Sequence, residues 1–144
     1  MARYSVLISA IEPFQKEAVN GEGSDLSPGE MVSWSSTKGE VEYPGAAGDA
    51  GFLVVVDKYD VALDGSYADG EQVFFHAGQS GEEYFVDVAG ILASDGTDSA
   101  IDPGDELANY TDGTLCFADA GEPVAVAKEG VSSSGSDQIK VEVL

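Results

Sequence analysis

Short apolar runs alternate along this chain with turns centred on glycine and aspartate. The pattern is clearest from Tyr84 to Glu129, YFVDVAGILASDGTDSAIDPGDELANYTDGTLCFADAGEPVAVAKE. Each run there ends at a residue that takes positive φ cheaply or caps its own backbone: Gly90, Asp95-Gly96, Pro103-Gly104-Asp105, Asp112-Gly113, Gly121. Asp112-Gly113 between two apolar runs predicts a hairpin with a type I′ turn. The period of the apolar positions is that of strands, so the stretch predicts a small β-barrel or sandwich.

The rest of the chain fits the same pattern. RYSVLISAI (residues 3–11) predicts a first strand, and residues 1–20 together an N-terminal strand or arm. PFQKEAVNGE, from Pro13, allows one helical turn or a loop that turns Phe14 and Val19 inward. Ser27-Pro28-Gly29-Glu30 introduces a strand through MVSWS, with Trp34 packed in the core or at a subunit contact. FLVVVDKYDVAL, from Phe52, is the strongest apolar run, and its length and valine content make it a buried strand. Turns at Asp64-Gly65 and Asp69-Gly70 precede a strand that carries Val73, Phe74 and Phe75. Residues 130–137, GVSSSGSD, predict a flexible linker to a C-terminal strand, QIKVEVL, in which apolar and polar residues alternate. The sum is roughly nine to eleven strands, spaced as in a sandwich or barrel.

Composition agrees. With 16 Val, 6 Phe and 6 Tyr against 8 Leu, and 18 Gly as punctuation, the chain favours pleated structure. Its 144 residues suit one domain with a single core, so the expectation is one all-β domain over residues 1–144, with long loops.

The charge narrows the partners. Asp and Glu number 27 against 6 Lys plus Arg, a net charge of −21. Nucleic acid and anionic membranes both need clustered Lys or Arg, so neither is expected as a direct partner. A disordered acidic chain would be poor in apolar residues, whereas this one is 43% hydrophobic. The carboxylates therefore belong on the surface of a fold. Such a surface suits very high salt, where the Debye length falls to about 3 Å and self-repulsion is suppressed. A halophilic source is expected.

Candidate chemistry is sparse. The one cysteine, Cys116, lies in an apolar run and predicts a buried thiol. His76 is the one histidine, with neither a second histidine nor a cysteine cluster to make a zinc site. Asp95 to Asp102 is rich in carboxylates but lacks the spacing of an EF-hand loop. Asp95-Gly96-Thr97 and Asp112-Gly113-Thr114 are turn sequences, in the wrong order for an aspartic protease. No glycine-rich phosphate loop precedes a helical pattern. The expectation is no catalytic residues, no metal and no cofactor. No signal peptide is expected after Met1-Ala2-Arg3, and no run approaches the roughly 18 apolar residues of a membrane span. Synthesis in a cytoplasm follows.

Several phrases resemble the decoration, or cement, proteins on capsids of tailed viruses with the HK97-type shell. They are Glu12-Pro13-Phe14, Pro28-Gly29-Glu30-Met31-Val32, Phe52 to Val56, Tyr67-Ala68-Asp69-Gly70-Glu71-Gln72-Val73 and Gly81-Glu82-Glu83. The closing pattern is the most telling: Ile101-Asp102-Pro103-Gly104-Asp105-Glu106-Leu107, Thr111-Asp112-Gly113-Thr114-Leu115, Pro123-Val124-Ala125-Val126-Ala127. The likeness covers most of the chain; residues 130–137 and the acidity depart from it, and the acidity points to a haloarchaeal virus. The resemblance implies a homotrimer on the outer surface of the virion, bound to the major capsid protein and stabilising the mature head. Either terminal strand could add to a partner's sheet, and Tyr4, Val6, Ile8 and Phe14 are the expected capsid contacts. The alternatives are a virion or cell-surface β-sheet module that binds glycan or another surface, and a small hydrolase with a carboxylate pair.

Overall fold

A computed structural model describes residues 7–9, 14–46, 51–57 and 65–144. Among them are eleven strands and no helix, so the chain is all-β. In chain order these are β1 (Leu7–Ser9), β2 (Phe14–Asn20), β3 (Ser33–Trp34), β4 (Glu40–Glu42), β5 (Leu53–Val55) and β6 (Gln72–Ala77). Then follow β7 (Glu83–Leu92), β8 (Glu106–Asn109), β9 (Leu115–Phe117), β10 (Ala125–Ala127) and β11 (Ser136–Val143).

The ten-residue β7 organises the first sheet, whose order is β1-β7-β11-β10-β8-β9. One edge of β7 pairs with β11 from Glu83 to Ala89. The other edge is divided: β1 pairs at Glu83 and Tyr84, and β9 pairs in parallel at Val88 and Leu92. The β7–β9 pairing closes β7, β11, β10, β8 and β9 into a barrel. Tyr84, Val86 and Val88 alternate inward along β7 and are fully buried, opposite Val141 and Ile139 of β11.

The second sheet runs β3-β4-β2-β6-β5. It also curls back on itself. Val32 donates to the Leu53 carbonyl and Val55 to that of Glu30, so residues 30–32 pair with β5 and then continue as β3. The run FLVVV is apolar throughout because β5 is buried on both faces. Phe52, Val54 and Val56 join the barrel's core, while Val55 packs with Ala18, Leu26, Val41, Tyr67, Val73 and Phe75 inside the second sheet.

Several local expectations change. Phe14–Asn20 is neither a helical turn nor a loop but a strand paired with β6, and Val19 turns outward. Pairing with a six-residue neighbour outweighs the weak helical preference of Gln-Lys-Glu-Ala. The hairpin at Asp112-Gly113 is not type I′, since Gly113 has φ 85° while Asp112 does not enter the left-handed region. Tyr110 donates to the Thr114 carbonyl across a three-residue loop, the arrangement of a type I turn followed by a left-handed glycine.

Residues 130–137 are tied to the barrel and do not form an open linker. Val131 is buried and bridges Ile101, and Gly90 donates to the Gly135 carbonyl while accepting from Ser134. A Cβ on Gly90 would lie 2.1 Å from the Ser132 carbonyl oxygen, so this crossing needs glycine beneath it. The C-terminal strand is equally committed. As β11 it lies between β7 and β10, which removes it as an arm for a partner's sheet.

Candidate functional site

Of the four expected capsid contacts, Tyr4 and Val6 lie outside the described residues. Ile8 is the centre of β1, and Phe14 opens β2 opposite Ala77. The two therefore belong to different sheets, and the chain crosses from one sheet to the other between Ser9 and Phe14. Of the two terminal strands only β1 is at a sheet edge, which is where an arm must be.

An acidic seam joins the sheets. The turn Ser27-Pro28-Gly29-Glu30 is closed by Glu30, whose carboxylate accepts from the Ser27 amide at 2.9 Å. Its Gly29 carbonyl accepts from the Asp87 amide, its Pro28 carbonyl accepts from Gln138 Nε2 at 3.0 Å, and the Met31 amide donates to Gly113. Glycine is required at both contacts. A Cβ on Gly29 would lie 2.6 Å from Gln138 Nε2, and one on Gly113 2.6 Å from the Tyr43 ring and 3.0 Å from Glu30 Oε2. Glu30 and Asp87 are thus held close together in partial burial, which raises both carboxyls above their ordinary range. For Asp87 the charge of Asp112 adds to the effect, and for Glu30 a hydrogen bond from Tyr43 offsets part of it.

A second polar cluster lies where β6 meets the start of β7. His76 and Glu82 are both buried, and the His76 and Tyr84 rings meet edge-on at 6.1 Å. Glu82 Oε1 accepts from the Gln79 amide and the Tyr84 hydroxyl. Among the described residues His76 Nδ1 and Glu82 Oε2 have no hydrogen-bond partner. Burial lowers the His76 pKa, with Glu82 opposing it, and raises that of the Tyr84 hydroxyl. Nothing in the residue order signals that the isolated histidine lies near a carboxylate, because the register of β6 against the 79–82 turn sets that contact.

The remaining carboxylates largely serve turns. Asp95 Oδ1 accepts from the Thr97 amide and hydroxyl, and Asp112 Oδ1 does the same for Thr114. Asp105 caps the Asp102 amide, Glu71 that of Ala68 and Glu129 that of Lys140. Asp119 accepts from both the amide and the hydroxyl of Ser94, and these bonds hold its pKa below the usual carboxylate range. Among the described residues no three His, Cys, Asp or Glu side chains come together as a metal site.

Cys116 is buried in β9 against the Ala108 carbonyl, and burial pushes its thiol up to about 12. Trp34, expected in a core or a subunit contact, is 51% exposed, with its ring edge-on to the buried Phe75 at 5.4 Å.

No family model matches the sequence, and no curated protein matches it. Among solved structures the chain is similar to the N base of the head fibre gp8.5 of bacteriophage phi29. The TM-score is 0.58 at 15% identity, over 92% of this chain and 95% of that one. At this identity the likeness is one of fold.

Proposed function

We propose that this chain is a structural protein of a virus head. It binds the outer surface of the major capsid protein lattice as a homotrimer and stabilises the mature shell. The observation that carries this reading is the match, over nearly the whole of both chains, to the base of a phage head fibre. The phrases that resemble cement proteins of HK97-type viruses point the same way, and the charge of −21 supports a haloarchaeal host for that virus.

The role needs buried area and complementarity, with no catalysis, cofactor, nucleic acid or membrane. β1 suits it, as a short edge strand that holds the expected contact Ile8 and follows Tyr4 and Val6 in the chain. The test begins with light scattering in concentrated salt, where a mass near three times the 14.9 kDa of the chain is expected. A monomer at all concentrations would overturn the trimer.

One observation favours a second reading, a surface module that recognises glycan: the exposed face of Trp34 offers a ring on which a sugar could stack. A saturable hit on a glycan array that is lost in Trp34→Ala would favour it over the capsid reading.

A further inference from the structure

β2 is paired along the whole of one edge and along only a fraction of the other. Toward β6 the register runs from Phe14↔Ala77 to Val19↔Gln72, and the Asn20 amide donates to Glu71. The even-numbered residues of β2 therefore direct their backbone groups to β6. The odd-numbered residues face the other way. Val19 donates to the Gly39 carbonyl and Gly21 to that of Val41, but β4 reaches only Val19 and Asn20. The N–H and C=O groups of Gln15 and Glu17 point to the same side, beyond the end of β4, and among the described residues no strand pairs with them there. This is an open strand edge.

The surroundings of the edge differ between its two faces. On the inner face, Phe75 lies opposite Lys16 and meets the half-exposed Trp34 edge-on at 5.4 Å, so the indole touches a side chain that backs the open edge. On the outer face, Glu17 and Glu40 flank the exposed Val19, which is the cross-strand partner of Glu40.

We propose that the open edge of β2 receives an extended strand of another protein, in which apolar and Lys or Arg residues alternate. The incoming backbone pairs with Gln15 and Glu17. Its inward side chains pack on Trp34, and its outward basic side chains meet Glu17 and Glu40. Charge complementarity selects this occupant, because a chain of net charge −21 attracts a basic strand and repels an acidic one. A second copy is a poor occupant. Two chains of net charge −21 repel each other, and antiparallel self-pairing centred on Lys16 or on Glu17 also sets like charges directly opposite. The inference rests on the head-attachment reading and adds to β1 a second place of contact, but its test does not use heads.

The probe is a synthetic peptide of about eight residues, a usual strand length, that alternates valine and lysine. Binding is followed by the fluorescence of Trp34, the protein's one tryptophan. A saturable change is expected, and a same-charge peptide N-methylated along its pairing edge should bind at least tenfold more weakly. Glu17→Pro removes an edge N–H that no described residue accepts and should weaken binding by a similar factor with the circular dichroism unchanged. If Glu17→Pro does not fold, the N-methylated peptide decides alone. Equal binding of the plain and N-methylated peptides, or the absence of a saturable Trp34 signal, overturns the proposal.

Discussion

The Asp87 amide donates to the Gly29 carbonyl at 2.9 Å, on the stretch of the β7 edge between the residues engaged by β1 and by β9. One residue of a turn thereby fills a gap in the barrel wall and fixes the second sheet against it. Gly29 has φ +95°, and a Cβ there would strike Gln138 and approach Asp87 Oδ1 at 3.2 Å. Gly29→Ala should therefore cost about 2 kcal/mol or more, from the left-handed backbone together with the clash. Chemical denaturation measures it; a cost below about 0.5 kcal/mol would mean that the turn does not hold the sheets.

The acidic seam gives a pH dependence of definite sign. The folded pKa of Asp87 is raised, first by burial and then by Asp112. Below its unfolded value both states are protonated and no penalty exists. As pH rises through the folded value, the folded state must ionise a partly buried group, and stability is lost. Asp87→Asn should therefore be more stable than the parent at pH 7, with the advantage shrinking toward pH 4. Denaturation midpoints at the two pH values check this, and an advantage that grows on acidification would contradict it.

His76 acts in the opposite direction. Its folded pKa is lowered by burial, so above its unfolded value, about 6.5, both states are neutral and nothing is lost. On acidification the unfolded chain takes the proton first and stability falls. The groups that face the imidazole are Glu82 and the edge-on ring of Tyr84. In His76→Gln the melting temperature should fall less between pH 7 and pH 5 than it does in the parent.

Much of this architecture was legible beforehand. The alternation of Tyr84, Val86 and Val88 marked β7, and that of Ile139, Val141 and Val143 marked β11, because half-buried strands must alternate. The continuous run at Val54 to Val56 marked a strand with no solvent face. Phe14–Asn20 was illegible as a strand, since only the pairing of Lys16 and Ala18 with Phe75 and Val73 determines its form. The 130–137 segment misled for a related reason. Its serines and glycines look like a linker, yet Ser134, at φ 61°, and Gly135 make the turn that crosses Gly90. The seam and the open edge of β2 depend on which strands stop where, and a single sequence does not record that.

The thiol of Cys116, with its pKa pushed up to about 12 and no exposed surface, should resist alkylation at pH 8 in the folded protein. Labelling should require denaturant and follow the unfolding transition. Fast labelling of native protein would place β9 nearer to solvent than its pairing with β8 allows. In the same core, Leu115→Ala should cost about 2–5 kcal/mol, the usual range for a fully buried leucine.

A surface of this charge should also make stability depend on salt. Between about 1 M and about 0.1 M salt the Debye length grows from about 3 Å to about 10 Å, and repulsion among the carboxylates rises. Circular dichroism should show strand structure lost toward the low end. An unchanged spectrum would remove the argument for a halophilic source.

The head-attachment reading is tested most directly by co-sedimenting the purified protein, in concentrated salt, with heads that lack it. Saturation at a fixed ratio to the major capsid protein, with heads that then withstand more heat, is the expected result. Protein that stays in the supernatant at every concentration would contradict it.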